Sequence, residues 1–170
     1  FVAYDFDDFD PDLDFVGDGH RIENAFTFIG LPDTQYYSES FPAVFTSQTQ
    51  WIADKKREYN IKHVFHYGDI TDDDTSAQWV NANTSLSILE DAKIPFSVLR
   101  GNHDAATTYY DQYFPPSRFS DKPYWGGYYS STNNDHNYQL VEIEGTSYIF
   151  ISLSYNPVSL VRTWASNLLS

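Results

Sequence analysis

Two amino acids are missing from the 170-residue chain: cysteine and methionine. Without cysteine, the protein can form neither a disulfide bond nor a zinc–thiolate site, and it cannot use a thiolate as a catalytic nucleophile. Without methionine, and with Phe1 as its first residue, the chain lacks its own initiator. We therefore expect it to be a processed or partial product of a longer polypeptide.

Basic residues and long apolar runs are also scarce. Ten lysines and arginines stand against 24 aspartates and glutamates, which gives a formal net charge of −14. Long-range repulsion opposes binding to a nucleic-acid backbone or to an anionic membrane, so neither is expected as the main partner. No apolar run approaches the roughly 20 residues that a membrane-spanning helix needs, and we predict no membrane span.

The composition divides the chain into two parts. Hydrophobic residues make up 41% of it, which is enough for one domain with a buried core. We interpret residues 1–21, where acidic residues alternate with aromatic and aliphatic ones, as an acidic extension, and residues 22–170 as the folded domain. The carboxylates at Asp10, Asp12 and Asp14 have the spacing of a calcium-binding loop, although such a loop needs glycine where Phe15 stands. A solvated segment and a calcium site both remain open.

Strand and helix patterns alternate in the folded domain. Apolar runs predict three strands, and helical periodicity predicts two helices between them. The predicted strands are 26–31, 61–67 and 95–99, and the predicted helices are 42–59 and 75–93. This α/β order favours parallel strands joined by right-handed crossovers, with all three strand ends at one edge of the sheet. Two further strands are predicted around Glu144 and Gly145, followed by a helix from Val158.

Polar clusters follow the three predicted parallel strands. They are Asp33-Thr34-Gln35, Gly68-Asp69 and Gly101-Asn102-His103-Asp104. Carboxylate and amide oxygens together with imidazole are suitable ligands for divalent ions such as manganese, iron or zinc. The pattern therefore predicts a metal site at this edge.

The motifs "GDITD" and "RGNHD", with an aspartate at an earlier strand end, resemble those of the calcineurin-like metallophosphoesterases. The resemblance covers roughly residues 26–153. It implies an α/β/β/α sandwich, here incomplete at the C-terminus, and the hydrolysis of a phosphoester substrate by a hydroxide that bridges two metal ions. No covalent phosphoenzyme is implied.

The same resemblance implies a role for each motif residue. Asp33 would bind the first metal ion, Asp69 would bridge the two ions, and Asn102 would bind the second ion and approach the phosphate. His103 would be the general acid on the leaving oxygen, oriented by Asp104.

Two positions near these motifs need separate comment. Gln35 stands where most of the family has histidine; its carbonyl oxygen is a candidate metal ligand, and a weaker one than imidazole, which favours manganese at the first site. Arg100 is a candidate phosphate-binding residue, with a surface ion pair as the alternative.

The histidines that complete the family's site are absent. The family has a further histidine and a Gly-His-x-His motif downstream, whereas His136 is the only histidine that follows His103 here. We therefore expect a following segment or a second chain to complete the site.

Two alternatives to an enzyme remain open. Loss of imidazole at Gln35 is compatible with a non-catalytic protein of binding or structural function. The acidic, aromatic N-terminus and 14 tyrosines are compatible with an extracellular adhesive protein. An extracellular or secreted location is the expectation in either case.

Overall fold

The protein is described by a computed structural model that covers residues 25–105 and 108–170. The N-terminal extension and its possible calcium loop lie outside the described residues. The strands are β1 (Thr27–Leu31), β2 (Ile61–His66), β3 (Phe96–Ser97), β4 (Trp125–Tyr128), β5 (His136–Ile143) and β6 (Thr146–Leu153). The helices are α1 (Gln35–Ser40), α2 (Pro42–Lys55), α3 (Ser76–Asp91), α4 (Tyr109–Tyr113), α5 (Pro116–Phe119) and α6 (Ser159–Asn167), with a 3-10 turn at His103–Ala105.

The strands form two separate three-stranded sheets. β1, β2 and β3 are parallel and lie in that order, as predicted. β4, β5 and β6 form an antiparallel sheet. The turn between β5 and β6 is at Glu144 and Gly145, whose φ angles of 52° and 78° are those of a tight hairpin, so the predicted hairpin is confirmed.

The apolar faces of α2 and α3 cover one side of the parallel sheet. Phe45 and Ile52 of α2 and Trp79 and Leu86 of α3 are buried in one cluster with Val64 of β2. Burying these apolar side chains determines which face of each helix meets the sheet.

Aromatic side chains fill the space between the two sheets. The ring of Phe150 on β6 lies 5.0 Å from that of Phe28 on β1 and 4.8 Å from that of Phe65 on β2, both edge-on. Such pairs contribute about 0.5–1.5 kcal/mol each beyond the area that they bury. They hold the antiparallel sheet against the face of the parallel sheet that the helices leave open.

The last helix covers the outer face of the antiparallel sheet. Val161 and Ala165 of α6 are buried, and the ring of Trp164 lies 6.1 Å from that of Tyr138 on β5. The order of layers is therefore helix, sheet, sheet, helix, as expected from the sequence. No helix in 25–105 or 108–170 combines the length and apolar character that crossing a bilayer requires.

Two histidines are buried on opposite faces of β2. His63 lies between the sheets, with its ring 4.8 Å from that of Phe150, and His66 lies under the helices, 6.1 Å from the ring of Phe45. Burial lowers the pKa of each imidazole to about 3, because the charged form loses its hydration. Both histidines are therefore neutral in the folded protein at neutral pH.

Acid should destabilise the fold through these histidines. Above pH 6.5 they are neutral in both states; as pH falls, only the unfolded chain takes up protons, and stability declines until the folded pKa of about 3. In His63→Phe, whose ring suits the aromatic surroundings, the loss of unfolding free energy between pH 6.5 and 5 should shrink by about 1.5 kcal/mol. Urea unfolding at the two pH values measures this, and an unchanged loss would contradict it.

Candidate metal centre

The loops after β1, β2 and β3 meet at the carboxyl edge of the parallel sheet. Leu31 at the end of β1 pairs with His66 at the end of β2, and Phe65 of β2 pairs with Ser97 of β3. Asp33, Asp69 and Asn102 follow these strand ends within a few residues. The topology therefore places all three polar clusters at one edge, where open α/β sheets bind their ligands.

Asp33 and Asp69 share an uncommon backbone conformation. Their φ angles are 49° and 48°, in the left-handed region that residues with a Cβ atom rarely occupy. Such conformations cost roughly 1–3 kcal/mol and cluster at functional sites. Five further described residues with a Cβ atom share the conformation, so it does not by itself mark a functional site; they are Asn60, Asp74, Lys93, Glu144 and Asn156.

The loops after β2 and β3 are in direct contact. The backbone N–H of His103 donates to Oδ1 of Asp69 over 3.0 Å. A Cβ atom on Gly101 would lie 2.1 Å from the nitrogen of Asp69 and 2.2 Å from its Oδ1, so only glycine permits this approach. The structure thus brings Asp69 together with the segment that carries Asn102 and His103.

Asp104 holds these two loops in place. Its buried carboxylate accepts four hydrogen bonds: from the N–H groups of Gly101, Ile70 and Thr71 over 2.9, 3.0 and 2.9 Å, and from the Thr71 hydroxyl over 3.1 Å. Burial raises the pKa of this carboxyl group, and the four hydrogen bonds oppose the rise.

The prediction that Asp104 orients His103 needs correction, because Asp72 is the residue beside the ring. Nδ1 of His103 lies 2.9 Å from the backbone carbonyl oxygen of Asp72 and 3.4 Å from its Oδ1. The carbonyl can only accept, so Nδ1 carries a proton and donates it. This bond, followed by the nearby carboxylates, raises the pKa of His103. Asp72 was visible in the sequence as the last residue of "GDITD", but its role was missed.

Gln35 is brought to the same place, but its amide nitrogen faces a carboxylate. The side chain is 7% exposed, and Nε2 donates to Oδ1 of Asp72 over 2.9 Å. The neighbouring Thr34 hydroxyl lies 2.8 Å from Nε2 of His66 and donates to the carbonyl of Ile70 over 3.3 Å. The side chains of Thr34 and Gln35 therefore fasten the loop after β1 to β2 and to the loop that follows it.

Arg100 does not face the polar edge as a free cation, contrary to its prediction as a phosphate-binding residue. Its guanidinium lies 3.0 Å from a carboxylate oxygen of Asp111 and 3.0 Å from one of Asp135, and it stacks 4.8 Å from the centre of the Tyr110 ring. Only 16% of the side chain is exposed. The alternative, an ion pair, is correct, although the pair is largely buried.

The predicted ligands suit hard divalent ions. Asp33, Asp69 and Asn102 offer carboxylate and amide oxygens, and both ring nitrogens of His66 already have partners in Thr34 and Gly68. An oxygen-only set favours ions such as manganese over zinc. Among the described residues, carboxylate oxygens of Glu39, Asp72 and Asp73 also lie within 4.8 Å of one another.

The polar edge is open to solvent in the part of the chain that the structure describes. Asp33 and Asn102 are exposed. An apolar groove of about 800 Å³ runs instead between β1 and α2, along Ile29, Trp51 and Tyr59. It passes beside the polar edge at Pro32 and does not enclose the ligands.

Comparison with known proteins agrees with the motifs. A family model described as calcineurin-like phosphoesterase matches residues 13–164. YvnB, an uncharacterized protein of Bacillus subtilis (strain 168), is 39% identical over 153 residues, which make up 86% of this chain and 12% of that protein. The chain therefore spans only a small part of the length of this relative.

Replacement of Asp104 should lower the stability of the fold. Asp104→Asn turns one acceptor oxygen into a donor, which leaves buried N–H groups unpaired and should lower the free energy of unfolding by about 2–3 kcal/mol. Asp121→Asn, at a side chain that is 76% exposed, is the matched control and should change it by less than about 0.5 kcal/mol. Chemical denaturation of the two variants measures the difference, and equal effects would contradict the role assigned to Asp104.

Proposed function

Since the chain belongs to the calcineurin-like phosphoesterase family, we propose that it hydrolyses phosphoesters with divalent metal ions held at the ends of β1, β2 and β3. Metal-dependent phosphoester hydrolysis is the general activity of this family. The observation that supports the proposal is the hydrogen bond from the backbone N–H of His103 to Oδ1 of Asp69, because it joins the residue proposed as the general acid to the carboxylate proposed to bind metal.

Three residues would hold the ions: Asp33, Asp69 and Asn102. Bound divalent ions supply an activated water and neutralise the charge that builds up on the phosphoryl oxygens. This matters in a chain of net charge −14, which would otherwise repel an anionic substrate.

His103 would protonate the leaving oxygen. Nδ1 is already engaged by the carbonyl of Asp72, so Nε2 is the ring nitrogen available to the substrate. With 39% of the side chain exposed, the ring is accessible from the polar edge. Because Nδ1 keeps its proton, donation from Nε2 requires the imidazolium form, and the raised pKa of His103 agrees with that requirement.

The remaining ligands would come from another segment or a second chain. The described histidines other than His103, which is proposed as the acid, are not at the polar edge as free ligands: His63 and His66 are buried, and Nδ1 of His136 accepts from the N–H of Ser154 over 3.1 Å. The open polar edge and the much greater length of the Bacillus subtilis relative support this proposal.

Asp69→Asn should remove the metal-dependent reaction. The change keeps the size of the side chain but removes the charge between the ions, so manganese affinity measured by calorimetry should fall at least tenfold. Manganese-dependent hydrolysis of 4-nitrophenyl phosphate should fall to background. Hydrolysis that persists unchanged in the variant would refute the site, and a wild-type protein that includes the completing segment or chain and still lacks activity would favour the non-catalytic alternative.

His103→Asn tests whether His103 is the general acid, because the decrease in kcat should then depend on the leaving group of the ester. We expect a decrease in kcat of about 10²–10⁴-fold for phenyl phosphate, whose leaving oxygen needs a proton. The decrease should be far smaller for 2,4-dinitrophenyl phosphate, whose leaving group departs as a stable anion. Equal decreases for the two esters would show that His103 is not the acid.

A further inference from the structure

Gln35 has a side-chain amide that acts as a hydrogen-bond donor at the metal edge. Nε2 donates to Oδ1 of Asp72 over 2.9 Å, and the side chain is only 7% exposed. The amide nitrogen has no lone pair to offer a metal ion, so only Oε1 could act as a ligand, and Oε1 takes no part in this contact. The contact that the structure shows is made to Asp72.

Asp72 is held from two sides by glutamines. Oε1 of Gln78, on α3, accepts from the backbone N–H groups of Asp72 and Asp73 over 2.9 Å each. Gln35, on α1, holds the carboxylate of Asp72. The backbone and the side chain of Asp72 are thus fixed by different helices.

The charges around Asp72 explain why a neutral donor is needed there. Carboxylate oxygens of Glu39 and Asp73 lie within 4.8 Å of a carboxylate oxygen of Asp72. Like charges at this distance repel one another, and without a hydrogen-bond partner the Asp72 carboxylate would turn away from them. The amide of Gln35 opposes that movement without adding a charge to the site.

Asp72 transmits this restraint to His103. Its carbonyl oxygen lies 2.9 Å from Nδ1 of the ring, and its Oδ1, which accepts from Gln35, lies 3.4 Å from the same nitrogen. Any rotation of the Asp72 side chain would therefore change what Nδ1 meets.

We propose that Gln35 is a positioning residue, which acts through Asp72 to fix the ring of His103, and that it is not a metal ligand. The catalytic consequence rests on the proposed function, whereas the restraint on the ring does not. Where most of the family has a histidine ligand, this chain has a residue that braces the general acid.

The kinetic test is Gln35→Met, which keeps the length of the side chain but removes the hydrogen bond. If Gln35 positions the general acid, kcat of Gln35→Met should be about tenfold lower than that of the wild type for phenyl phosphate. The decrease should be much smaller for 2,4-dinitrophenyl phosphate, and KM should change little. Gln48→Met, at a half-buried glutamine of α2, is the matched control and should behave like the wild type. Equal effects of Gln35→Met on both esters would overturn the proposal.

Two measurements do not depend on turnover. Manganese affinity by calorimetry should be within about twofold of wild type in Gln35→Met, since no ligand is lost; a decrease of tenfold or more would make Gln35 a ligand and overturn the proposal. In ¹⁵N-detected NMR, the ring of His103 should show one state with a protonated Nδ1 in the wild type, and a mixture of states in Gln35→Met. An unchanged ring signal would also overturn it.

These results separate the two proposals. If the wild type together with the segment or chain that completes the site hydrolyses no ester, but the His103 signal changes in Gln35→Met, the proposed function fails and the positioning role of Gln35 stands. If the wild type is active and Gln35→Met matches it in kcat, manganese affinity and NMR signal, only the proposed positioning role of Gln35 fails.

Discussion

Four hydrogen bonds converge on the buried carboxylate of Asp104, and the geometry of the polar edge depends on them. They draw backbone N–H groups from the loops after β2 and β3 toward one point. A charged acceptor in a poorly hydrated site forms stronger hydrogen bonds than a neutral one, and it tolerates no missing donor. With both loops fixed in this way, Asp69 comes within hydrogen-bond distance of the N–H of His103.

The excess of acidic residues in the sequence also affects the arrangement of the site. Asp33, Asp69 and Asp72 belong to one polar edge, and Glu39 and Asp73 crowd the last of them. The negative potential of these carboxylates repels an anionic substrate unless cations are bound, and the carboxylates also repel one another. The amide of Gln35, a neutral donor, offsets this repulsion at Asp72, whose carbonyl oxygen accepts from the ring of His103.

Local sequence patterns predict the strands and the hairpin, but they do not predict contacts between residues that are far apart in the sequence. The strands at 27–31 and 61–66 and the hairpin at Glu144 follow from apolar periodicity and turn chemistry. β4 and α1 were missed, because the first contains two glycines and the second begins inside the polar motif at Gln35. The partners of Asp104 and Arg100 were not predicted: Asp104 accepts from Ile70 and Thr71, which lie 34 and 33 residues away in the sequence, and Arg100 pairs with Asp111 and Asp135, which lie outside any predicted strand or helix.

Contacts between loops, and not any one strained residue, set the arrangement of the polar edge. Gly101 permits the close approach of its loop to Asp69, whose Oδ1 accepts from the backbone N–H of His103. Gln35 adds a second link, because its Nε2 donates to Asp72, whose carbonyl oxygen accepts from the ring of His103. The departure from the family at Gln35 therefore leaves this edge with a connected hydrogen-bond network, which is compatible with the proposed hydrolysis.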